Sequence, residues 1–233
     1  MGSLRLPPAD RYGIIEALPD ELSEPNRQRI KKFGAFMFLY DFAQDHFVRP
    51  RLHRADPRRH GDILRNEIAA VKSSAVLDIG CGTGAAIPYF DGSNSYTGLD
   101  LSYSMLRQAV KRAKKKSFAE LRLIQGNAEK LIFEDGIFDF VLMDTTLHMI
   151  PDYKRAVAEV RRVMSGDGAF LCSTPAVGLD SRFDDKWAKI AGKRVLHSLS
   201  EDDIIAVCSG NGMTYERIAT NGGVLYFRAG SRE

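Results

Sequence analysis

Val76-Leu77-Asp78-Ile79-Gly80-Cys81-Gly82-Thr83-Gly84 runs an apolar strand into a glycine turn, with an acid two residues before the first glycine. The apolar letters read as the buried first strand of a parallel sheet, and the alternating glycines let the backbone approach a ligand where any Cβ would collide. Such a turn opening a helix is a dinucleotide-type signature, so a nucleoside cofactor is expected here. The same letters, Gly80-x-Gly82-x-x-Ala85, satisfy the looser nicotinamide pattern. Asp78 separates the two readings. A pyrophosphate would come close to this position and be repelled by a fixed carboxylate, whereas a ligand with a cationic end and no phosphate would be attracted.

A second strand, Ser95-Tyr96-Thr97-Gly98-Leu99-Asp100, ends in an acid twenty residues after Gly80. A carboxylate offers two acceptor oxygens to a vicinal diol, and dinucleotide folds place an acid at about this interval. Asp100 could instead cap the next helix, but Ser102 is available for that, which leaves Asp100 for a ribose. A third strand leads into Gly126-Asn127-Ala128-Glu129, and a fourth, Phe138 to Met143, leads into Asp144-Thr145-Thr146-Leu147-His148.

Asp78-x-Gly80-x-Gly82-x-Gly84 resembles the first motif of the class I S-adenosylmethionine-dependent methyltransferases, and residues 62 to 230 follow that family's order of strands and acids. The resemblance implies S-adenosyl-L-methionine as cofactor and S-adenosyl-L-homocysteine as product. It implies that Asp78, Gly80, Gly82 and Gly84 hold the methionine end, that Asp100 and Leu101 meet the ribose, and that Asn127 and Ala128 meet the adenine. Asn127 stands where the family usually has an acid; an amide can still accept from an exocyclic amine. Asp144, Thr145 and His148 fall beside the transferable methyl, because crevices of open α/β sheets lie at the carboxyl ends of strands.

The spacing predicts helices over 62–71, 85–90, 102–116 and 152–164, and strands near 75–80, 95–100, 120–125, 138–143 and 168–174. Met213–Ala219 and Val224–Ala229, joined by Thr220-Asn221-Gly222-Gly223, read as an antiparallel hairpin. The expected fold is therefore a doubly wound, mostly parallel α/β sheet. By resemblance it has seven strands, the last antiparallel, in a Rossmann-like methyltransferase fold. Residues 62–233 form the cofactor-binding domain and residues 1–61 an N-terminal tail and helical lid.

With 233 residues, 44% of them hydrophobic, the chain can bury one substantial core but not two. A formal charge of +3 is far from that of a dedicated nucleic-acid binder, and no Asn-Pro-Pro-Tyr-like motif is present, so no nucleic-acid partner is expected. No apolar stretch reaches membrane-spanning length and no leader is visible, which predicts a cytoplasmic protein. Cys81, Cys172 and Cys208 show no metal-ligand spacing, and no metal is expected.

Residues 30–47 hold six aromatics in a helical window that is apolar nearly all round. Such a helix must bury two faces, one on the domain and one as the roof of a pocket or as a homodimer contact. The quinone- and lipid-type methyltransferases carry a Tyr-Asp pair like Tyr40-Asp41 in this segment. Phe36, Tyr40, Phe183 and Trp187 are expected to line the site of a small, partly apolar acceptor, with His148, and less directly Tyr40 and Asp144, as general base. The arginine-dense stretch from Arg49 to His60 reads first as a solvated face. Two other functions stay open on sequence: a non-catalytic module that binds the same cofactor, and a nicotinamide-dependent oxidoreductase.

Overall fold

The structure, a computed structural model, describes residues 6–32, 40–194 and 196–231. Its centre is β2 (Ala75–Ile79), in which Leu77 and Ile79 face one core layer and Val76 the other. Both faces are covered, so the strand reads as a nearly continuous apolar run interrupted by one acid. Asp78 shares the face of Val76, where it meets Tyr96 of β3 (Ser95–Asp100). β4 (Glu120–Gln125), β5 (Phe138–Asp144) and β6 (Met164–Pro175) continue the parallel sheet. β7 (Glu216–Asn221) and β8 (Val224–Gly230) form the expected hairpin, with β8 antiparallel to β6. The strand order is β1-β4-β3-β2-β5-β6-β8-β7.

That order contains eight strands among the described residues, one more than the seven expected. The additional strand is β1 (Ile14–Glu16), parallel to β4 at the sheet edge. Three residues are too few to show an alternating pattern, so this strand is invisible in the letters. It is held because Ile14 is fully buried and because Asp10 accepts from the backbone N–H groups of Tyr12 and Ile14 at 2.8 and 2.9 Å and from the Tyr103 hydroxyl.

The helices are α1 (Glu24–Lys32), α2 (Tyr40–Ala43), α3 (Pro57–Ile68), α4 (Tyr103–Ala113), α5 (Tyr153–Val163), α6 (Ser181–Arg194) and α7 (Glu201–Gly210). α2 runs directly into a π-helical stretch, Gln44–Leu52. Helix α3 begins five residues before the expected start at 62. Asp56 caps it by accepting from Arg58 and Arg59 N–H groups, and Pro57 fits the first turn, where no N–H is needed. Residues 85–90, expected as a helix, form only a short 3-10 turn at Ile87–Tyr89, because Pro88 and the extended Phe90 end it. Ser102 caps α4, as its side chain accepts from Met105 N–H.

The hairpin between β7 and β8 does more than close the sheet. Asn221 donates to the Asp56 carbonyl and accepts from Asp56 N–H, and Gly223 N–H donates to the His53 carbonyl at 2.8 Å. Residues 53–56 are thereby fixed over the carboxyl ends of β5 and β6, where the site lies.

Candidate active site

The glycine loop follows β2 with Gly80 and Gly82 at positive φ, +70° and +54°. A Cβ on Gly80 would sit 2.4 Å from Thr146 Cγ2, so only glycine lets the loop lie against the turn after β5. At Gly82 the left-handed backbone turns its N–H onto the Asp100 carboxylate at 2.8 Å, while Ser102 N–H donates to the other oxygen at 2.8 Å. Both donors favour the ionised carboxylate, yet burial wins and raises its pKa to about 6.

Loop and strand ends enclose a cavity of about 460 Å³. Gly80, Gly82, Asp100, Leu101, Asn127, Ala128 and Asp144, all expected in the cofactor site, are on its wall. Two others sit behind it. Asp78 is buried under the loop, where it accepts from the Tyr96 hydroxyl at 2.6 Å; burial, against that hydrogen bond, drives its pKa up to about 7. Gly84 packs on α4, where a Cβ would meet Ile87 and Ala109.

Asp144 is the most heavily tied carboxylate in the cavity. It accepts from the Ser173 and Thr145 hydroxyls, lies 3.4 Å from His60 Nε2, and lies 3.8 Å from an Arg49 guanidinium nitrogen. Burial alone would raise its pKa, but His60, Arg49 and Ser173 outweigh burial and hold it well below the usual carboxylate range. His60 is fixed in turn by a 2.7 Å contact between Nδ1 and the Tyr226 hydroxyl. Thr145, next in the chain, has a φ of +52°, an uncommon conformation for a non-glycine residue and one that gathers at functional sites. Its N–H donates to both the carbonyl and the hydroxyl of Ser173.

Tyr40, Gln44, Arg29, Thr145 and Met149 belong to this wall and also to that of a second cavity of about 510 Å³. The second chamber is lined mainly by apolar and aromatic groups, among them Val48, Leu52 and Trp187, together with His53 and His148. Trp187 lies on the wall as expected; Phe183 is fully buried behind it, stacked at 5.2 Å. Phe36 falls outside the described residues. Burial pushes the Tyr40 phenol up to about 12, with Asp100 and Asp144 adding to the effect, so its hydroxyl keeps its proton at neutral pH.

Segments from the N-terminal part of the chain roof the first cavity. On α1, Asn26 donates to Glu129 at 2.8 Å, and the same Glu129 oxygen accepts from Asn127 at 3.2 Å. On α2, Asp41 accepts from the Thr83 hydroxyl at 2.7 Å and pairs with Arg112 at 2.5 Å, while Arg112 also donates to the Thr83 carbonyl. One roof segment is thus tied to the loop bearing Asn127 and Ala128, the other to the glycine loop.

Residues 77–172 match the family description "Methyltransferase domain", a span that contains the glycine loop, Asp100, Asn127 and Asp144. Over that span the chain is similar to the methyltransferase domain family. Demethylmenaquinone methyltransferase of Bacillus velezensis is 36% identical over 111 residues, covering 46% of this chain and 48% of that protein. The Staphylococcus aureus protein of the same name is 35% identical over 113 residues, covering 47% and 46%. The chain thus spans about half the length of the curated relatives it matches. Among solved structures, Bacillus subtilis YcgJ superposes with a TM-score of 0.65 at 22% identity, covering 75% of this chain and all of that one. Haemonchus contortus phosphoethanolamine N-methyltransferase 2, solved with S-adenosyl-L-methionine, gives 0.69 at 17%, covering 92% and 61%. These likenesses bear out the Rossmann-like methyltransferase fold.

The site owes several of its residues to positions that pattern reading passed over. His53 and His60 lie in the arginine-dense stretch read as a solvated face, yet both are buried. The Asp56-Pro57 helix start was the available signal, since it places His60 and Gly61 on the inner side of α3. Asn26 and Ser173 had no motif to mark them.

The buried acid at the end of β3 gives the site a pH signature. A carboxylate must be ionised to accept both hydroxyls of a diol, and burial raises the Asp100 pKa to about 6. Cofactor affinity is expected to weaken as pH falls through 6, by about tenfold at pH 5. Calorimetric titration from pH 8 to 5 checks this. An Asp100→Asn variant should bind weakly at every pH and lose that step.

Proposed function

We propose that this chain is an S-adenosyl-L-methionine-dependent methyltransferase acting on a small, partly apolar acceptor. The observation that carries the reading is the pair of adjoining chambers, which share Tyr40, Thr145 and Met149. One is walled by the glycine loop and Asp100, the other by apolar and aromatic side chains. The residues present fit the cofactor: at Gly82, on the cavity wall, a Cβ would point into open space, with the Gly80 carbonyl oxygen at 3.8 Å, and Asp100 offers a carboxylate to a ribose.

When bound, the cofactor supplies an already activated methyl group on a sulfonium, so the protein's task is largely to align the acceptor and exclude water. Asp78, behind the loop, places a carboxyl with a pKa raised to about 7 near the cationic end, where a bound cation would favour its ionised form. Asp144 stays ionised on the wall of the first chamber, and Tyr40, on the wall of both, keeps its proton. His148 takes the acceptor's proton: burial holds its pKa well below 6.5, which keeps the imidazole neutral and able to accept. Residues 1–61 serve as the roof of the domain formed by 62–233, although β1 is woven into its sheet. The curated relatives are named for demethylmenaquinone, and an acceptor of quinone type suits the second chamber's walls.

The test is transfer of isotopically labelled methyl from the cofactor into a metabolite and lipid extract. A labelled small apolar product supports the proposal; labelling of nucleic acid or protein alone contradicts it. The roof makes a second expectation. Amides in residues 30–47, of which 33–39 lie outside the described residues, should exchange more slowly with deuterium once cofactor and acceptor are bound, because water must be excluded during transfer. Unchanged exchange, with full activity after truncation to residue 61, would make the segment packing or a dimer contact.

A further inference from the structure

We infer that His53 and His148 form a paired imidazole site that binds a hydroxyl group carried on a neutral aromatic ring. The inference rests on reading the second chamber as the acceptor's, and it names the chemical class of that acceptor. Both histidines are on the chamber wall, their rings 6.2 Å apart and nearly perpendicular. Each also meets Trp187 at an angle, His53 at 5.8 Å and His148 at 5.5 Å. His53 is 2% exposed and His148 4%.

What sets the pair apart is their hydrogen bonding. The chain has five histidines. His46 is bonded to the Phe42 carbonyl, His60 to Tyr226 and Asp144, and His197 to the Ile150 and Pro151 carbonyls. The Trp187 indole is also satisfied, donating to the His197 carbonyl. His53 Nδ1 and His148 Nδ1, in contrast, are buried with no hydrogen-bond partner. One orphaned ring nitrogen is a local cost; two in adjacent rings beside one cavity are relieved together when each ring turns that nitrogen, now closed off, toward a ligand in the chamber.

The ligand's chemistry follows from the imidazoles. Burial lowers the pKa of His53 to about 4, with Arg49 and His60 adding to the effect, and that of His148 well below 6.5, with His53 adding to it, so both rings are neutral at physiological pH. A neutral imidazole has one N–H donor and one acceptor nitrogen. A hydroxyl, which both donates and accepts, matches either tautomer; a carboxylate or an ammonium ion would each lose half of that match. Of the remaining wall, Val48, Leu52, Met149 and Trp187 suit a flat apolar body, while Gln28, Arg29 and Gln44 add polar groups. Together these features describe a phenol-type group on an uncharged ring.

Para-cresol and para-xylene test the inference, since they differ only by a hydroxyl in place of a methyl. Trp187 is the single tryptophan, so its emission reports directly on this chamber. Para-cresol should bind at least tenfold more tightly than para-xylene, and His53→Leu or His148→Leu should each shrink that preference to threefold or less. Imidazole nitrogen NMR of the unmodified protein should show shifts at both rings with para-cresol and not with para-xylene, a readout that needs no variant to fold. Equal affinity for the two probes, or NMR shifts confined to other histidines, would overturn the inference. Calorimetry of S-adenosyl-L-methionine on the same samples separates it from the methyltransferase reading: an intact cresol preference without cofactor binding supports the imidazole site and counts only against that reading.

Discussion

Exchange of His148 for alanine is expected to lower turnover about a hundredfold or more while leaving S-adenosyl-L-methionine affinity unchanged. His148 lies in the turn after β5, on the wall of the second chamber and not of the first, so its loss should be felt by the acceptor alone. Its imidazole is neutral because burial, with smaller contributions from His53, Arg29 and His197, disfavours the proton. That makes it a weaker base than a solvated histidine, but one that is always free to accept. A neutral acceptor that attacks a methyl sulfonium must shed a proton, and the positive charge the sulfonium loses can then reappear on the imidazole. The measurement is steady-state turnover beside calorimetric cofactor affinity. A loss below tenfold, or one that tracks weakened cofactor binding, would leave alignment as the whole of the mechanism.

Removal of the Asp100 carboxylate should produce the largest change in cofactor affinity. Two hydrogen bonds from a charged group to a ribose diol are lost in Asp100→Ala, an expected weakening of about 1.5 to 3 kcal/mol. The loop suffers as well, since Gly82 and Ser102 N–H groups lose their acceptor. Asp100→Asn separates the two effects, because the amide keeps the shape and one acceptor oxygen for the loop. Both variants should unfold at temperatures close to that of the unmodified protein if the effect is local. Normal cofactor binding by Asp100→Ala would reduce the acid to a turn-forming group before α4.

Much of the fold was written in local patterns. β2 through β6 announce themselves because parallel strands buried on both faces are apolar runs bounded by turns, and the hairpin 216–230 because two such runs are separated by Gly222-Gly223. The cofactor side of the site was legible for the same reason: glycines and strand-end acids act through backbone geometry that fixes their spacing. The acceptor side was not. Its residues come from four distant segments, residues 25–29 of α1, the stretch from Tyr40 to His53, the turn from Thr145 to Met149, and Trp187 of α6 with Leu196, and only tertiary packing brings them together. Charge also misled, because Arg49 and His60 are turned inward onto Asp144 by the cap at Asp56 and the anchoring of residues 53–56 on the β7–β8 hairpin. Asp78 shows a subtler limit. Its letter predicted charge at the ligand, and the structure places that charge one layer back, behind Gly80 and held by Tyr96.

The central claim is that the glycine loop and Asp100 build a site for adenosylmethionine and not for a dinucleotide. Calorimetric titration of the purified protein with S-adenosyl-L-methionine, S-adenosyl-L-homocysteine and oxidised and reduced nicotinamide dinucleotides tests it most directly. The account predicts saturable one-to-one binding of the first two and no heat from the dinucleotides; tight dinucleotide binding without adenosylmethionine binding would contradict it.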